Sequence, residues 1–407
     1  MNGMRSGWSR LALLILLAKA DLPGQVDPYP RQLIQAGYSQ PLQGLSPFPG
    51  YAFYYLNQPD WPRTNQTLRL AVAPVYLDAE LAFRGAFGPR TDLALGVAGG
   101  GYADSYAEVR GGKYVREESF KGHSAGLGVT LHHRFNPASR LPLHGILRGS
   151  LHQSFFYRDD RTAAMFVIPE DLGLAAVRAG LRLGGTEPLL LPELGLEISA
   201  WYEGQWRTEG RPYGYAADRH ISRDSHRLWG RTGFSYLTEA GQRVGLAVTG
   251  GTSLNPDRFN AFRLGSWLPL NSEFPLNLPG YYYHELSAQN FLHASLQLTQ
   301  PLDHKFRWSL LAMAATAVMD YTPGVEQPGK WHTGLGGGVA YHPPSRAWQI
   351  IVAYGYGLDA LRKDGRGAQS LSVLAQFDFR KARSALLDPA AQPARSRGLH
   401  DMLRRLF

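Results

Sequence analysis

The sequence predicts an all-β protein, a single antiparallel transmembrane β-barrel of about fourteen strands, with twelve to sixteen compatible with the pattern. Three observations carry this. Large apolar side chains alternate with small or polar ones through about a dozen segments. The connections between those segments alternate short and long. No run of about 18 apolar residues is present to make a spanning helix. Successive side chains of a strand point to opposite faces, so alternation gives each strand one greasy and one wet face. A soluble sandwich strand alternates too. A dozen such strands joined only by turns and polar loops suit hydrocarbon outside one wall and water within.

Composition agrees. Charged residues make up 18% of the 407, against roughly 25% in soluble domains, while there are 46 glycines and aromatics reach 12%. Mean hydropathy is −0.25, far from a helical membrane protein. There is no cysteine, hence no disulfide framework or thiolate metal site. The formal charge of +9 is concentrated at the ends. Residues 1–20 carry +3 and residues 381–407 carry +4, which leaves +2 for the body. A nearly neutral body has no basic stripe to displace counterions, so nucleic acid is rejected as a partner.

Residues 1–20 read as a secretory signal peptide. Arg5 and Arg10 precede the apolar Leu11–Ala18, and Ala18-Lys19-Ala20 has the A-x-A cleavage form. Residues 21–48 are polar and rich in proline, lack periodicity, and read as a periplasmic linker too short for a folded domain. The barrel is expected over 49–380.

Tyr51–Asn57 is aromatic and suits a strand. Leu68, Leu70, Val72, Pro74 and Tyr76 then fall on even positions, and Leu81, Phe83, Gly85 and Phe87 on odd ones. That parity switch, placed at Leu77–Asp78, marks a tight turn or a bulge. Strands follow near 91–102, 123–135, 143–157, 172–183, 193–206, 226–237, 243–253, 286–299, 305–318, 334–342, 347–359 and 369–380. The clearest is 347–358, where Trp348, Ile350, Val352, Tyr354, Tyr356 and Leu358 oppose Gln349, Ile351, Ala353, Gly355 and Gly357. In 286–299, Leu286, Leu292, Ala294, Leu296 and Leu298 form the expected outward set.

Short connections include 136–141, 240–241, 302–304 and 343–346. Long ones include 104–121, 158–171, 207–225, 254–285 and 320–332. Bacterial barrels have short periplasmic turns and long outer loops, so the alternation orients the chain. Two periplasmic termini require an even count. A turn or a bulge at 77–78 gives fourteen strands, whereas counting 51–57, 67–76 and 79–87 separately gives fifteen. From Lys381 a basic periplasmic tail begins. Leu399, Met402, Leu403, Leu406 and Phe407 stand at helical spacing, as in a short amphipathic surface helix or a solvated terminus.

The long loop 254–285 holds Phe262-Arg263-Leu264-Gly265-Ser266 and, after a proline-rich stretch, Leu278-Pro279-Gly280-Tyr281-Tyr282-Tyr283-His284-Glu285. Over about residues 255–380 this resembles the bacterial surface-antigen barrels, the membrane part of outer-membrane assembly and secretion factors. They carry an F-x-L-G-G run before an R-G-F/Y or S-G-Y turn, in a loop folded back into the lumen, with five strands after it. The resemblance implies that Arg263, Leu264, Gly265, Pro279, Gly280, Tyr281 and Glu285 lie inside the barrel. Two departures stand out. Pro279 occupies the place of the family's arginine, so its arginine-to-wall contact is not carried over, and periplasmic POTRA repeats have no room. Arg263 and Glu285 are expected to pair with each other in the lumen.

A second constellation is a set of inward-facing charges: Arg84, Arg148, Arg178, Arg182, Glu193, Glu197, Glu203, Arg227, Arg231 and Arg307. Such rings tune ion selectivity. A polar lumen also carries charges that satisfy each other across strands. No catalytic, cofactor or metal site emerges. His144, Ser150, His152 and Ser154 share one face of one strand without an orienting partner at a fixed spacing. His132 and His133 point to opposite faces, and Asp159-Asp160 reads as a turn. The expected function is a pore or gated channel for small solutes in the outer membrane, with loop 254–285 in its lumen and membrane lipid as its partner. The rival is a surface-antigen-like barrel that assists insertion of protein or lipid. An enzyme is not expected, and oligomeric state has no legible signature.

Overall fold

In the computed structural model, residues 29–136, 141–186, 195–208, 210–267, 274–363 and 365–387 are described. The signal peptide 1–20 and the helical pattern at 399–407 lie outside them. The strands are β1 (Arg31–Pro41), β2 (Gly50–Pro59), β3 (Gln66–Ala73), β4 (Tyr76–Phe83), β5 (Thr91–Gly100), β6 (Tyr106–Arg110), β7 (Lys113–Arg134), β8 (Leu143–Arg158) and β9 (Leu172–Thr186). They continue with β10 (Gly195–Arg207), β11 (Asp224–Leu237), β12 (Arg243–Leu254), β13 (Phe262–Leu264), β14 (Leu286–Pro301), β15 (Trp308–Tyr321), β16 (Trp331–Tyr341), β17 (Trp348–Arg362) and β18 (Gly365–Asp378). Helix α1 (Phe379–Leu387) follows.

All strands but β6 and β13 form one antiparallel wall, and β1 closes it by pairing with both β2 and β18. The barrel therefore has sixteen strands. β6 is a hairpin partner for the extended start of β7. β13 adds to the long-loop end of β14.

The two strands beyond fourteen have separate causes. Arg31–Pro41, expected to be linker, is β1, so the barrel begins at 31 rather than 49. Its alternation is short and flanked by prolines, and Leu33 faces inward, which hides the pattern. The pairing of Leu33 with Asp378 through Pro41 with Ser370 makes it a full staple. The parity switch is a two-residue turn at Pro74-Val75, not at Leu77–Asp78, since Ala73 pairs directly with Tyr76. All three segments around it are strands, and β1 restores the even count.

Elsewhere the period of two sorts the faces as expected. Leu127 and Leu151 are 63% and 64% exposed, while the inward Thr130 and Ser154 are buried. Apolar side chains exposed in a closed band face lipid. Aromatic residues gather at the short-turn end, with Trp308, Tyr341 and Trp348 in successive ring contact at 4.6 and 5.2 Å. Leu286 departs from the expected outward set. A bulge between Ala288 and Asn290 shifts the register, and Leu286 and Ala288 are buried under the neighbouring loop. The main apolar cluster lies inside the barrel, where residues from loop 255–285 pack on β14–β18.

Candidate functional site: a loop folded into the lumen

The loop leaves β12 and is pinned at once. The Asp257 carboxylate accepts N–H groups of Phe259 and Asn260 at 2.8 and 3.1 Å. It also accepts Nη1 of Arg207, an inward residue of β10, at 2.5 Å. A carboxylate with that many donors is fully satisfied although buried. Next comes β13, followed by Gly265 with φ of 142°. A Cβ there would stand 2.1 Å from the Tyr282 carbonyl oxygen, so only glycine fits. The returning limb closes a short hairpin, with Gly265 N–H to Leu276 C=O at 3.1 Å and Leu278 N–H to Ser266 C=O at 2.9 Å.

The loop meets the wall where the wall has no side chains. Inward positions Gly334 and Gly336 of β16 and Gly355 and Gly357 of β17 form a bare strip. A Cβ at Gly334 would lie 2.5 Å from the Pro279 carbonyl oxygen, and one at Gly336 would lie 2.8 Å from the Trp267 ring. At Gly355 it would meet the Gly280 nitrogen at 2.7 Å, and at Gly357 the Tyr281 ring at 2.8 Å. Glycine at alternate strand positions marks close approach of another backbone.

Three tyrosines then lock the turn. Tyr281 Oη meets His332 Nδ1 at 3.2 Å, and Tyr321 Oη meets Nε2 of the same ring at 2.5 Å. Tyr282 Oη donates to the Gln43 carbonyl in the β1–β2 loop at 2.9 Å. Tyr283 is buried beside them. Glu285 accepts the Tyr282 N–H at 2.6 Å and pairs with Arg362 of β17 at 2.8 and 3.1 Å. The Arg362 guanidinium lies 3.7 Å from the Tyr282 ring centroid and reaches the Gly280 carbonyl at 3.4 Å.

Leu264, Gly265, Pro279, Gly280, Tyr281 and Glu285 are thus inside the barrel and buried. The expected pairing of Arg263 with Glu285 is not formed. Arg263 is half-buried, donates to the Arg258 carbonyl at 2.6 Å and lies over the Tyr106 ring at 5.3 Å. Glu285 takes Arg362 instead. In this ion pair the loop supplies the carboxylate and the wall supplies the arginine.

On another arc of the wall, β10 carries Glu203 between Arg178 of β9 and Arg227 of β11. Arg178 reaches it at 2.6–2.7 Å, and Arg227 donates to its other oxygen. Glu197 sits between Arg182 at 3.3 Å and Arg231 at 4.0 Å. Between these two rows Trp201 and Trp229 stack with centroids 6.2 Å apart, and Phe274 of the loop packs on both. The loop therefore reaches from the glycine strip of β16–β17 to the tryptophan pair of β10–β11, across the lumen. Arg148 stands beside Arg178 in register.

Arg84 and Arg307, expected on the inward face of strands, are not on strands. β4 ends at Phe83 and β15 begins at Trp308, so both arginines lie in turns at the short-turn rim. Arg84 pairs with Asp60, and Arg307 pairs with Asp303 at 3.2 Å. The backbone N–H of Trp308 and the Arg307 side chain hold the Asp303 carboxyl below its usual range. Glu193 lies outside the described residues.

The long-loop mouth is covered. Glu108 on β6 is fully buried and accepts the Tyr106 hydroxyl at 2.6 Å, Arg110 at 3.1 Å, Arg258 at 3.3 Å and Arg219 at 3.5 Å. Arg110, Arg219 and Arg258 come from three connections, and Phe120, Phe166, Tyr213 and Phe259 pack around them. Asp104, in the β5–β6 turn, accepts both His152 Nε2 at 2.9 Å and the Ser154 hydroxyl. Histidine and serine share one carboxylate rather than bonding each other, which is not a nucleophile–base pair. Asp159 pairs with Lys121 at 2.9 Å.

The residues that reasoning from sequence missed are Arg362 and the glycine strip. The alternate glycines at 334, 336, 355 and 357 were the available signal. Arg362 had none, because unbroken alternation would face this even-numbered position outward, and a bulge in β17–β18 between Gly357 and Leu361 turns it inward.

No protein-family model matches the sequence, and no curated protein does. Solved structures do match in fold. CdiB from Acinetobacter baumannii aligns with a TM-score of 0.55 at 12% identity, over 86% of this chain and 60% of that one. BamA from Haemophilus ducreyi lacking POTRA domains 1–3 aligns at 0.53 and 10%, over 86% and 71%. CdiB from Escherichia coli aligns at 0.51 and 13%, over 84% and 63%. The chain spans about three-fifths of the length of the two CdiB structures. Sixteen strands, an inward loop and five strands after it make this an outer-membrane barrel similar in fold to CdiB and BamA.

Proposed function

We propose that the protein is a gated channel of the outer membrane for small solutes, with loop 255–285 as its plug. A sixteen-stranded barrel encloses a lumen wider than its own side chains, and such a lumen is either filled or conducting. The observation that carries the reading is the loop lodged across that lumen. The Glu285–Arg362 pair and the glycine strip hold it on one side, and Phe274 reaches the other. Passage then requires the loop to shift, and the surplus of arginine on β8–β11 favours anionic solutes. Planar-bilayer conductance tests this. The intact chain should show rare openings and deletion of 257–283 steady ohmic steps. Silence of a deletion variant that keeps heat-modifiable gel mobility would overturn it.

A second reading is assistance to insertion of protein or lipid into the outer membrane. It is favoured by the fold shared with BamA and CdiB. Acceleration of barrel-protein insertion into liposomes, without conductance in the loop-released variants, would select it. Export through a cleaved signal at residues 1–20 belongs to both readings, and N-terminal sequencing of the mature protein tests it.

A further inference from the structure

The lipid-facing wall is not uniformly convex. Near the long-loop ends of β4, β5 and β7–β11 it holds a groove of about 1190 Å³. Two neighbouring rows of outward positions build it, and register fixes both. In the lower row Val97 pairs with Leu127, Leu127 with Leu151, Leu151 with Ala175 and Ala175 with Trp206. In the upper row Leu77 pairs with Gly99, Gly99 with Ala125, Ala125 with Gln153 and Gln153 with Gly173. The lower row is mostly bulky, and its Val97, Leu127 and Leu151 project into the surroundings, 46–64% exposed. The upper row is mostly glycine and alanine. A ledge of large side chains beneath a strip of small ones is a trough running around the barrel.

Its position says what fills it. The groove lies within the closed band of exposed apolar residues, so hydrocarbon is its medium. Its upper edge is lined by polar groups, Gln153 within β8 and Thr208, Arg223 and Asp224 at the ends of β10 and β11. Arg223 is exposed there, at the level where lipid head groups lie. The long-loop end of bacterial barrels faces the cell exterior.

We infer that this trough is a binding site for one membrane lipid with an anionic head group. An acyl chain lies along the Gly99–Ala125–Gly173 strip above Leu127 and Leu151, and the phosphate meets Arg223. Small outward residues let the chain lie against the backbone, so the lipid buries more of its length than on a smooth wall. The trough lies outside the barrel, so it can hold lipid whether or not the lumen conducts.

Native mass spectrometry of the full chain in detergent with added phosphatidylglycerol tests it. The unsubstituted protein should retain one lipid at collision energies that strip the rest. Ala125→Trp and Ala175→Trp, each filling the trough from a lipid-facing position, should lower retained lipid about tenfold, the loss expected when roughly two buried methylenes are displaced. Ala200→Trp, on the lipid face of β10 outside the groove, should retain it. Arg223→Ala should remove the preference for phosphatidylglycerol over phosphatidylcholine. Heat-modifiable mobility verifies folding, and the two tryptophan variants stand in for each other should one fail to fold. Equal retention in a folded Ala125→Trp or Ala175→Trp protein overturns the site. Equal retention of the two lipids by the unsubstituted protein overturns the preference for an anionic head group.

Discussion

Glu285, the last residue of the lumen loop, and Arg362, at the end of β17, form an ion pair in which both side chains are nearly inaccessible. The carboxylate is held by the Tyr282 N–H as well, and the guanidinium covers the Tyr282 ring. This geometry joins 77 residues of chain and fastens the plug to the wall.

Breaking that pair should free the loop. Arg362→Ala leaves a buried carboxylate without its partner, which costs about 3–5 kcal/mol where the charge stays buried. The expected outcome is loop release with the barrel intact. Conductance should rise and proteolysis within 257–283 should accelerate, while gel mobility stays heat-modifiable. Exchanging the two residues, Glu285→Arg with Arg362→Glu, should recover part of the closure. A resistant loop in Arg362→Ala would show that the glycine strip alone suffices.

The glycine strip can be tested by filling it. Gly336→Val drives a branched side chain into the Trp267 ring, and Gly355→Val drives one into the Pro279-Gly280 backbone. Overpacking of this kind costs about 1–3 kcal/mol. With 257–283 deleted, the same substitutions should cost under about 0.5 kcal/mol, because their partner is gone. Urea unfolding in detergent micelles of the four combinations measures the coupling, and additive effects would count against close contact.

Charge in the lumen should appear as selectivity once the plug is removed. On β8–β11, Arg148, Arg178, Arg182, Arg227 and Arg231 face two carboxylates, Glu197 and Glu203. The loop-deleted barrel should pass chloride in preference to potassium. Arg182→Glu with Arg231→Glu should reverse the preference. Reversal potentials in a potassium chloride gradient read the sign directly, and an unchanged sign would place the conducting path away from this arc.

Deleting 29–41 should abolish the barrel. β1 is the seam, and its loss leaves β2 and β18 with unpaired backbone groups that lipid cannot satisfy. Heat-modifiable mobility should vanish. A barrel that still forms would return this segment to the role of a linker.

Much of this was legible in advance. Val352, Tyr354 and Tyr356 announce their lipid face by spacing alone, and the Gly-Tyr turn after Leu278 marks the loop that enters the lumen. The proline-flanked β1 was not legible, since a strand whose Leu33 points inward lacks a clean repeat. Nor was the partner of Glu285. Arg263 was the nearer cation in the chain, but β13 aims it toward Tyr106, and a bulge delivers Arg362 instead.

The alternation alone settles which face of nearly every strand is greasy, and so that the chain becomes a barrel wall, because a two-residue repeat is a local property that needs no partner. Closure of the wall at sixteen strands through β1, and the pairing of Glu285 with Arg362, arise only in the folded barrel. Closure and cross-lumen pairing depend on register between distant segments, and register is set when all backbone hydrogen bonds must be satisfied at once.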